Sequence, residues 1–283
     1  MQLHENLLET GAAAQGDAAA PHNVSRLCTE QSLMSPEYQA WVERLKEARG
    51  HLHRKVWEWC FIAQALQDND MLRPGKIGLG FAVGQEPLTA LFATRGANIV
   101  ATDLFTAEAQ ANGWVDTAQH ASGYEAINLR GICEENRLRE LVEFRFADMN
   151  RISHEFNARF DFVWSSCALE HLGSLEHGLQ FIRNAMACLK PGGVAVHTTE
   201  FNVSSNEGTI SSGPTVLYRR RDIEQLAEQL RAAGHSIEID WDQGASLADG
   251  FVDLPPYAHA THLKLQIKQY VVTSIGLIIR KAR

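Results

Sequence analysis

A doubly wound α/β fold is predicted for these 283 residues, with a mostly parallel sheet, helices on both faces and an antiparallel last strand. Three observations predict it. From residue 76 to about 234, short apolar runs alternate with segments of helical period, the pattern of strand–helix–strand units. The first apolar run opens directly into glycines ahead of a helix. The last two apolar runs follow one another with no helix between them, which implies an antiparallel edge.

The elements follow in order. Residues 1 to about 34 show neither apolar period, and 11–20 is rich in Ala and Gly, so this stretch is expected to be a disordered tail. Ser35-Pro36 starts a helix, with Pro at its first position, and Trp41, Leu45 and Ala48 share a face. After Gly50 a second helix carries Leu52, Val56, Cys60, Ala63 and Leu66 at spacings of three and four. It stops at Arg73-Pro74-Gly75, so 35–73 reads as a helical unit placed before the sheet. Strands are expected at 76–79, 97–102, 142–147, 160–165 and 194–199. Helices are expected at 85–95, at about 125–141, and through Leu175, Leu179, Ile182, Met186 and Leu189. That last helix is closed by Lys190-Pro191-Gly192-Gly193. A final helix bears Ile223, Leu226, Leu230 and Ala233, and Gly234 ends it. Strands at 236–241 and 263–280 close the chain, with an insertion at about 242–262.

Charge and composition narrow the function. Lys and Arg total 26 against 34 Asp and Glu, a net charge of −8, which disfavours a dedicated nucleic-acid binder. The longest apolar tract, near 271–279, is about half the roughly 18–20 residues of a membrane span. The N-terminus, with early acids, does not read as a signal peptide. The five cysteines are scattered, never in a CxxC pair, and fit reduced core residues of a cytoplasmic protein. A homodimer is left open.

The chemistry gathers at the carboxyl ends of the strands. Gly78-Leu79-Gly80-Phe81-Ala82-Val83-Gly84 joins a strand to a helix, where small residues let the backbone turn and approach a ligand. Asp103 ends the second strand, 19 residues beyond Gly84, where an acid accepts hydrogen bonds from ribose hydroxyls. Asp148 ends the third strand on the same rim. Glycine loop and acids together point to a cofactor bearing ribose and adenine. One reading is a nicotinamide dinucleotide, but Tyr124 and Tyr257 lack the lysine four positions on that a short-chain dehydrogenase needs.

The second half of the chain favours the other reading. Phe160-Asp161-Phe162-Val163-Trp164-Ser165-Ser166-Cys167-Ala168-Leu169-Glu170-His171-Leu172, a helix, then Leu189-Lys190-Pro191-Gly192-Gly193, resembles class I S-adenosylmethionine-dependent methyltransferases. The resemblance spans roughly 75–281. It implies a Rossmann-like, seven-stranded sheet and S-adenosyl-L-methionine as cofactor. It also implies that Gly80, Ala82 and Gly84 approach the methionine end of the cofactor. Gly78 stands where the family has an acid for the methionine amino group, and Glu86 is the proposed substitute. Asp103 would take the ribose hydroxyls, Leu104 would flank the adenine, Asp148 would accept from the adenine amine, and Met149 would offer its backbone. Ser165 and Ser166 would lie near the sulfonium.

For the base that takes the acceptor's proton, His171 is the first candidate, because imidazole titrates near neutral pH. Its alternative role is a helix cap or a core hydrogen bond. His197 and Glu200 are alternates on the same rim. His51-x-His53 and His259-x-x-His262 are loose pairs, and no metal is predicted. Arg219-Arg220-Arg221 reads either as a solvated turn or as a clamp for an anionic acceptor. The polar loop 203–214 is expected to face substrate. Ala168-Leu169-Glu170-His171-Leu172 is similar to small-molecule and lipid-quinone methyltransferases. Residues 199–202 with 215–222 resemble bacterial enzymes of glycan gene clusters, so the expected acceptor is a sugar or glycan precursor. A non-catalytic nucleoside-binding protein on this fold is the remaining alternative.

Overall fold

The structure is a computed structural model and describes residues 23–111 and 119–283. The chain begins with β1 (Ser25–Leu27) and three helices, α1 (Glu30–Leu33), α2 (Pro36–Arg44) and α3 (Arg54–Asp68). The alternating part follows as β2 (Ile77–Gly80), α4 (Leu88–Thr94), β3 (Asn98–Asp103), α5 (Thr106–Ala111), α6 (Glu135–Leu141) and β4 (Val142–Phe146). It continues as β5 (Phe160–Ser165), α7 (Leu175–Cys188), β6 (Leu189–Asn202) and α8 (Arg220–Ala232). The end of the chain holds β7 (Ile239–Asp240), α9 (Leu247–Gly250), β8 (Leu265–Ile267) and β9 (Tyr270–Arg280).

The predicted α/β sheet is present. Its strand order is β4-β3-β2-β5-β6-β9-β1-β7, with β8 paired to β9. The β2–β6 ladders are parallel, and β9 runs antiparallel to β6. Nine strands stand where seven were expected, among the described residues. One addition is β1. Residues 23–34, expected in a loose tail, are ordered: β1 inserts between β9 and β7, and Ser25 Oγ accepts from Ile278 N at 2.9 Å. The rest of that tail, 1–22, lies outside the described residues. The other addition arises because the run 263–280 folds as a hairpin, turning at Lys268, whose φ is 53°. The helix expected over 125–141 is broken into a 3-10 turn (Ala126–Asn128) and α6 by Gly131 at φ 58°.

The two faces follow from the period-two alternation of strands. Phe162, Trp164, Val194 and Val196 join the core under α2, α3 and α4, whereas Val163, Ala195, Leu79 and Val100 join the core under α7 and α8. Two glycines of β2 make room for the first set. A Cβ on Gly78 would lie 2.2 Å from the Phe162 ring, and one on Gly80 would lie 2.4 Å from Trp164. These rings stack at 5.9 Å, and Phe92 of α4 meets them edge-on at 6.1 and 5.1 Å. Gly276 of β9 admits Phe61 of α3 in the same way, so α3 lies close against the sheet.

Candidate active site

A cavity of about 620 Å³ opens at the carboxyl ends of β2–β5, within the size range of cofactor sites. Of the expected residues, Ala82, Asp103, Leu104, Asp148, Met149, Ser166 and His171 line it. The turn after β2 is tight: Ala82 and Gly84 have φ of 47° and 53°, and a Cβ on Gly84 would sit 2.6 Å from the Gln119 carbonyl oxygen. Asp103, only 6% exposed, fixes that turn. Its Oδ2 accepts from Gly84 N and Ala121 N, each at 3.0 Å, and its Oδ1 accepts from Leu104 N at 2.8 Å. Burial raises the Asp103 pKa, and these three amides work against the rise. Asp148 accepts from Asn150 N at 2.8 Å and pairs with Arg151 at 2.9 Å.

Other expected residues lie outside the cavity. Gly78 sits in β2 beneath Phe162, so that ring occupies the space in which the family's acid would project. Gly78→Asp should therefore destabilise the fold by about 1–3 kcal/mol, as overpacking does, without tightening cofactor binding. Thermal melting with and without S-adenosylhomocysteine checks both halves.

Ser165 and His197 are paired strand neighbours on the face of α7 and α8, and both are fully buried. Ser165 Oγ is hydrogen-bonded to His197 Nδ1 at 2.8 Å, and the His197 ring packs edge-on to Phe181 at 5.5 Å. Neither reaches the cavity. Burial lowers the His197 pKa from 6.5 to about 3. A histidine depressed on folding stabilises the fold above its unfolded pKa, and that contribution drains away as pH falls from about 6.5 toward 3. His197→Gln should thus gain on wild type below pH 6.5 by up to about 1.4 kcal/mol per pH unit. Equal pH slopes for the two proteins in thermal melts would refute this.

Glu200, also expected at the rim, does not line the cavity. It lies three residues after His197 and therefore on the opposite face, toward α3, where it pairs with Arg54. Burial raises its pKa to about 7 against the opposing pull of Arg54. Here α3 supplies residues that the sequence reading missed, because that reading followed only the helix's apolar stripe. Lys55 and Trp59 line the cavity. Lys55 Nζ lies 3.1 Å from Glu86 Oε1 and 3.2 Å from Glu58 Oε2. Glu58 is fully buried and accepts from the Cys167 thiol at 3.0 Å. Burial pushes the Glu58 pKa up, but Lys55 and Arg54 outweigh it and hold the group at about 2. The one legible signal was the i, i+4 pair Arg54–Glu58, within a helix otherwise read as core.

Glu86 lines the cavity beside Ser166, whose Oγ donates to it at 3.1 Å. A carboxylate, an ammonium and a hydroxyl thus meet near the glycine turn, a donor set suited to an amino-acid moiety. His171 Nδ1 is 2.8 Å from the Pro214 carbonyl oxygen.

Three further segments have definite places. The arginines 219–221 are engaged within the fold, with Asp222, Glu224 and Glu207 respectively, rather than forming an open clamp. Loop 203–214 does not line the cavity; it backs the segment after β5, through Gly213 N to Gly173 O at 3.0 Å. The insertion at 242–262 docks on the N-terminal segment. There Asp249 accepts from Glu30 N at 2.7 Å, and His262 stacks on His53 at 4.6 Å. Among the described residues, no helix is long and apolar enough to cross a membrane.

Comparison with known proteins gives these residues a context. Residues 79–197 match the family model of a methyltransferase domain. No curated protein matches the chain. Similar solved structures include a candidate sarcosine dimethylglycine methyltransferase from Galdieria sulphuraria, at 13% identity and TM-score 0.47, covering 88% of this chain and 99% of that one. The 1,6-didemethyltoxoflavin-N1-methyltransferase of Burkholderia thailandensis, solved with S-adenosylhomocysteine, shows 16% identity and TM-score 0.46, over 98% and 99% of the two chains. A methyltransferase from Mesorhizobium loti shows 15% identity and TM-score 0.45, over 77% and 96%. The family match carries more weight than these distant likenesses, and it covers the glycine turn, both acids and the segment after β5. On that match, residues 79–197 are similar to a methyltransferase domain.

Proposed function

We propose that the protein O-methylates a small hydroxylated acceptor, a sugar or glycan precursor, in the cavity described. The observation that carries this is the placement of His171. A carbonyl oxygen only accepts, so His171 Nδ1 donates to Pro214, and that bond fixes the ring in place. A base so placed on the cavity wall suits the removal of a hydroxyl proton. The choice of a sugar rests on the sequence resemblance of 199–202 and 215–222.

When bound, the cofactor supplies an activated methyl group. The chain's residues hold and orient the reactants. Asp103 would take the ribose hydroxyls, Leu104 would flank the adenine, Asp148 would accept from its amine, and Met149 would offer its backbone. Glu86, Ser166 and Lys55 would hold the charged amino-acid end, and the turn of Ala82 and Gly84 would let the backbone come close. Trp59 and Lys55 make α3 part of the cavity wall, so the helical unit 35–73 serves as a cap over it. Asp103→Asn, which loses the charge, should weaken S-adenosylhomocysteine binding about tenfold to a hundredfold, the worth of one charge-assisted hydrogen bond. Calorimetric titration checks it.

The test of the acceptor is a screen with labelled methyl donor over monosaccharides, nucleotide sugars and quinones. Label on a sugar hydroxyl is the expected result. Label on a quinone alone would replace the sugar reading, and stabilisation by S-adenosylhomocysteine without transfer to any acceptor would favour a binding protein.

A further inference from the structure

Behind the cavity, the buried polar cluster holds more carboxylate than cation. Among the described residues, Glu58, Glu86, Glu170 and Glu200 are set against Arg54 and Lys55. Two of these acids are half used. Thr199 Oγ1 donates to Glu170 Oε2 at 2.8 Å, and Arg54 donates to Glu200 Oε1. Glu170 Oε1 and Glu200 Oε2 are buried without a hydrogen-bond partner, and the two residues are 0% and 5% exposed. Unpartnered carboxylate oxygens at such burial are costly unless something positive meets them. Between them stands Cys167, held at φ 44° just after β5. Its Sγ and one carboxylate oxygen from each acid lie within 4.8 Å of one another, the one such group among the described residues.

We propose that Cys167, Glu170 and Glu200 bind one divalent cation of the zinc class. Ligand atoms at tetrahedral zinc lie roughly 3.3–3.7 Å apart, given bonds of about 2.0–2.3 Å, so the three atoms need close by little more than 1 Å. A thiolate with two carboxylates suits zinc or a similar borderline ion. Magnesium and calcium call for six or more oxygens. The cation's two charges offset the surplus of the carboxylates, and the Cys167 thiolate formed on binding leaves the site one negative charge in excess. The outer partners are in place: Thr199 and Arg54 each fix one oxygen of a ligand and leave the other for metal. Binding displaces the Cys167 thiol proton to solvent. Three protein ligands leave a fourth position, as in catalytic rather than closed sites, and Cys167 lines the main cavity. On the O-methylation reading, a metal held here would supply Lewis acidity to an acceptor hydroxyl.

The test reads metal, not activity, so it stands apart from the acceptor question. The whole chain, stripped with chelator, is titrated with Zn²⁺ and separately with Co²⁺. One equivalent per chain and a near-ultraviolet thiolate-to-cobalt charge-transfer band are expected. Cys167→Ser should abolish the band, and Glu170→Gln should weaken Zn²⁺ binding by about tenfold or more. His262→Ala, which removes the His53–His262 stack and leaves the His53 cap of α3 in place, should leave both unchanged. Absence of the band in the folded wild-type chain overturns the proposal, as does a band that survives Cys167→Ser or disappears with His262→Ala. The wild-type spectrum needs no variant to fold.

Discussion

His171→Ala is expected to lower kcat by about 10²–10⁴-fold, the usual worth of a positioned general base, while S-adenosylhomocysteine binds with little change. The geometry separates the two effects. The cofactor's ribose and amino-acid ends are assigned to Asp103 and to Glu86 with Ser166, whereas His171 lies on the short 3-10 turn Leu169–His171 after β5. His171→Gln offers a decisive comparison. Its amide can keep a bond to Pro214 but cannot take a proton, so it should be as slow as alanine if the ring acts as base. If the histidine serves only to pin the turn to Pro214, glutamine should restore most of the rate. Single-turnover measurements with labelled methyl donor distinguish the cases, and near-normal turnover in the alanine variant would remove the base role altogether.

Much of this site was legible because its signals are local. A glycine turn between an apolar run and a helix, and acids at the next two strand ends, are fixed by short-range backbone geometry, and Ala82, Asp103 and Asp148 all line the cavity. The failures have physical reasons. Ser25–Leu27 is too short to show a period, and its place between β9 and β7 is set wholly by distant partners. The two strand glycines look like ligand contacts, yet what demands them is the pair of rings, Phe162 and Trp164, on the neighbouring strand. His197 and Glu200 were treated as equivalent rim residues, although an odd separation along a strand sends them to opposite faces. Arg54, Lys55 and Glu58 show only as an i, i+4 pair with a neighbouring lysine, because an amphipathic helix is read from its apolar stripe. Nothing local says that charges on that helix will be buried by a sheet end 100 residues away in the chain.

That buried face of α3 yields the second large effect. Arg54, with its side chain only 14% exposed, pairs with both Glu58 and Glu200 and donates to Ser274 Oγ at 3.2 Å. Arg54→Ala strands the buried Glu200 and leaves Glu58 with Lys55 as its cation, and removing one partner of a buried ion pair costs about 3–5 kcal/mol. For a chain of this size the melting temperature should fall by roughly 6–15 °C. The loss should also depend on pH in a definite direction. Glu200 already has its pKa raised to about 7 by burial, with Arg54 opposing the rise. Without Arg54 it rises further, so the folded variant holds protons that the unfolded chain releases. An acid raised on folding makes stability fall as pH rises, so the variant's deficit should be larger at pH 8 than at pH 6. Arg54→Lys should recover part of the loss, since it keeps the charge but not the fork that reaches both acids. Adding Glu200→Gln to Arg54→Ala should recover another part by removing one stranded charge. If the double variant is no more stable than Arg54→Ala alone, packing of the long side chain rather than charge compensation is what α3 contributes here.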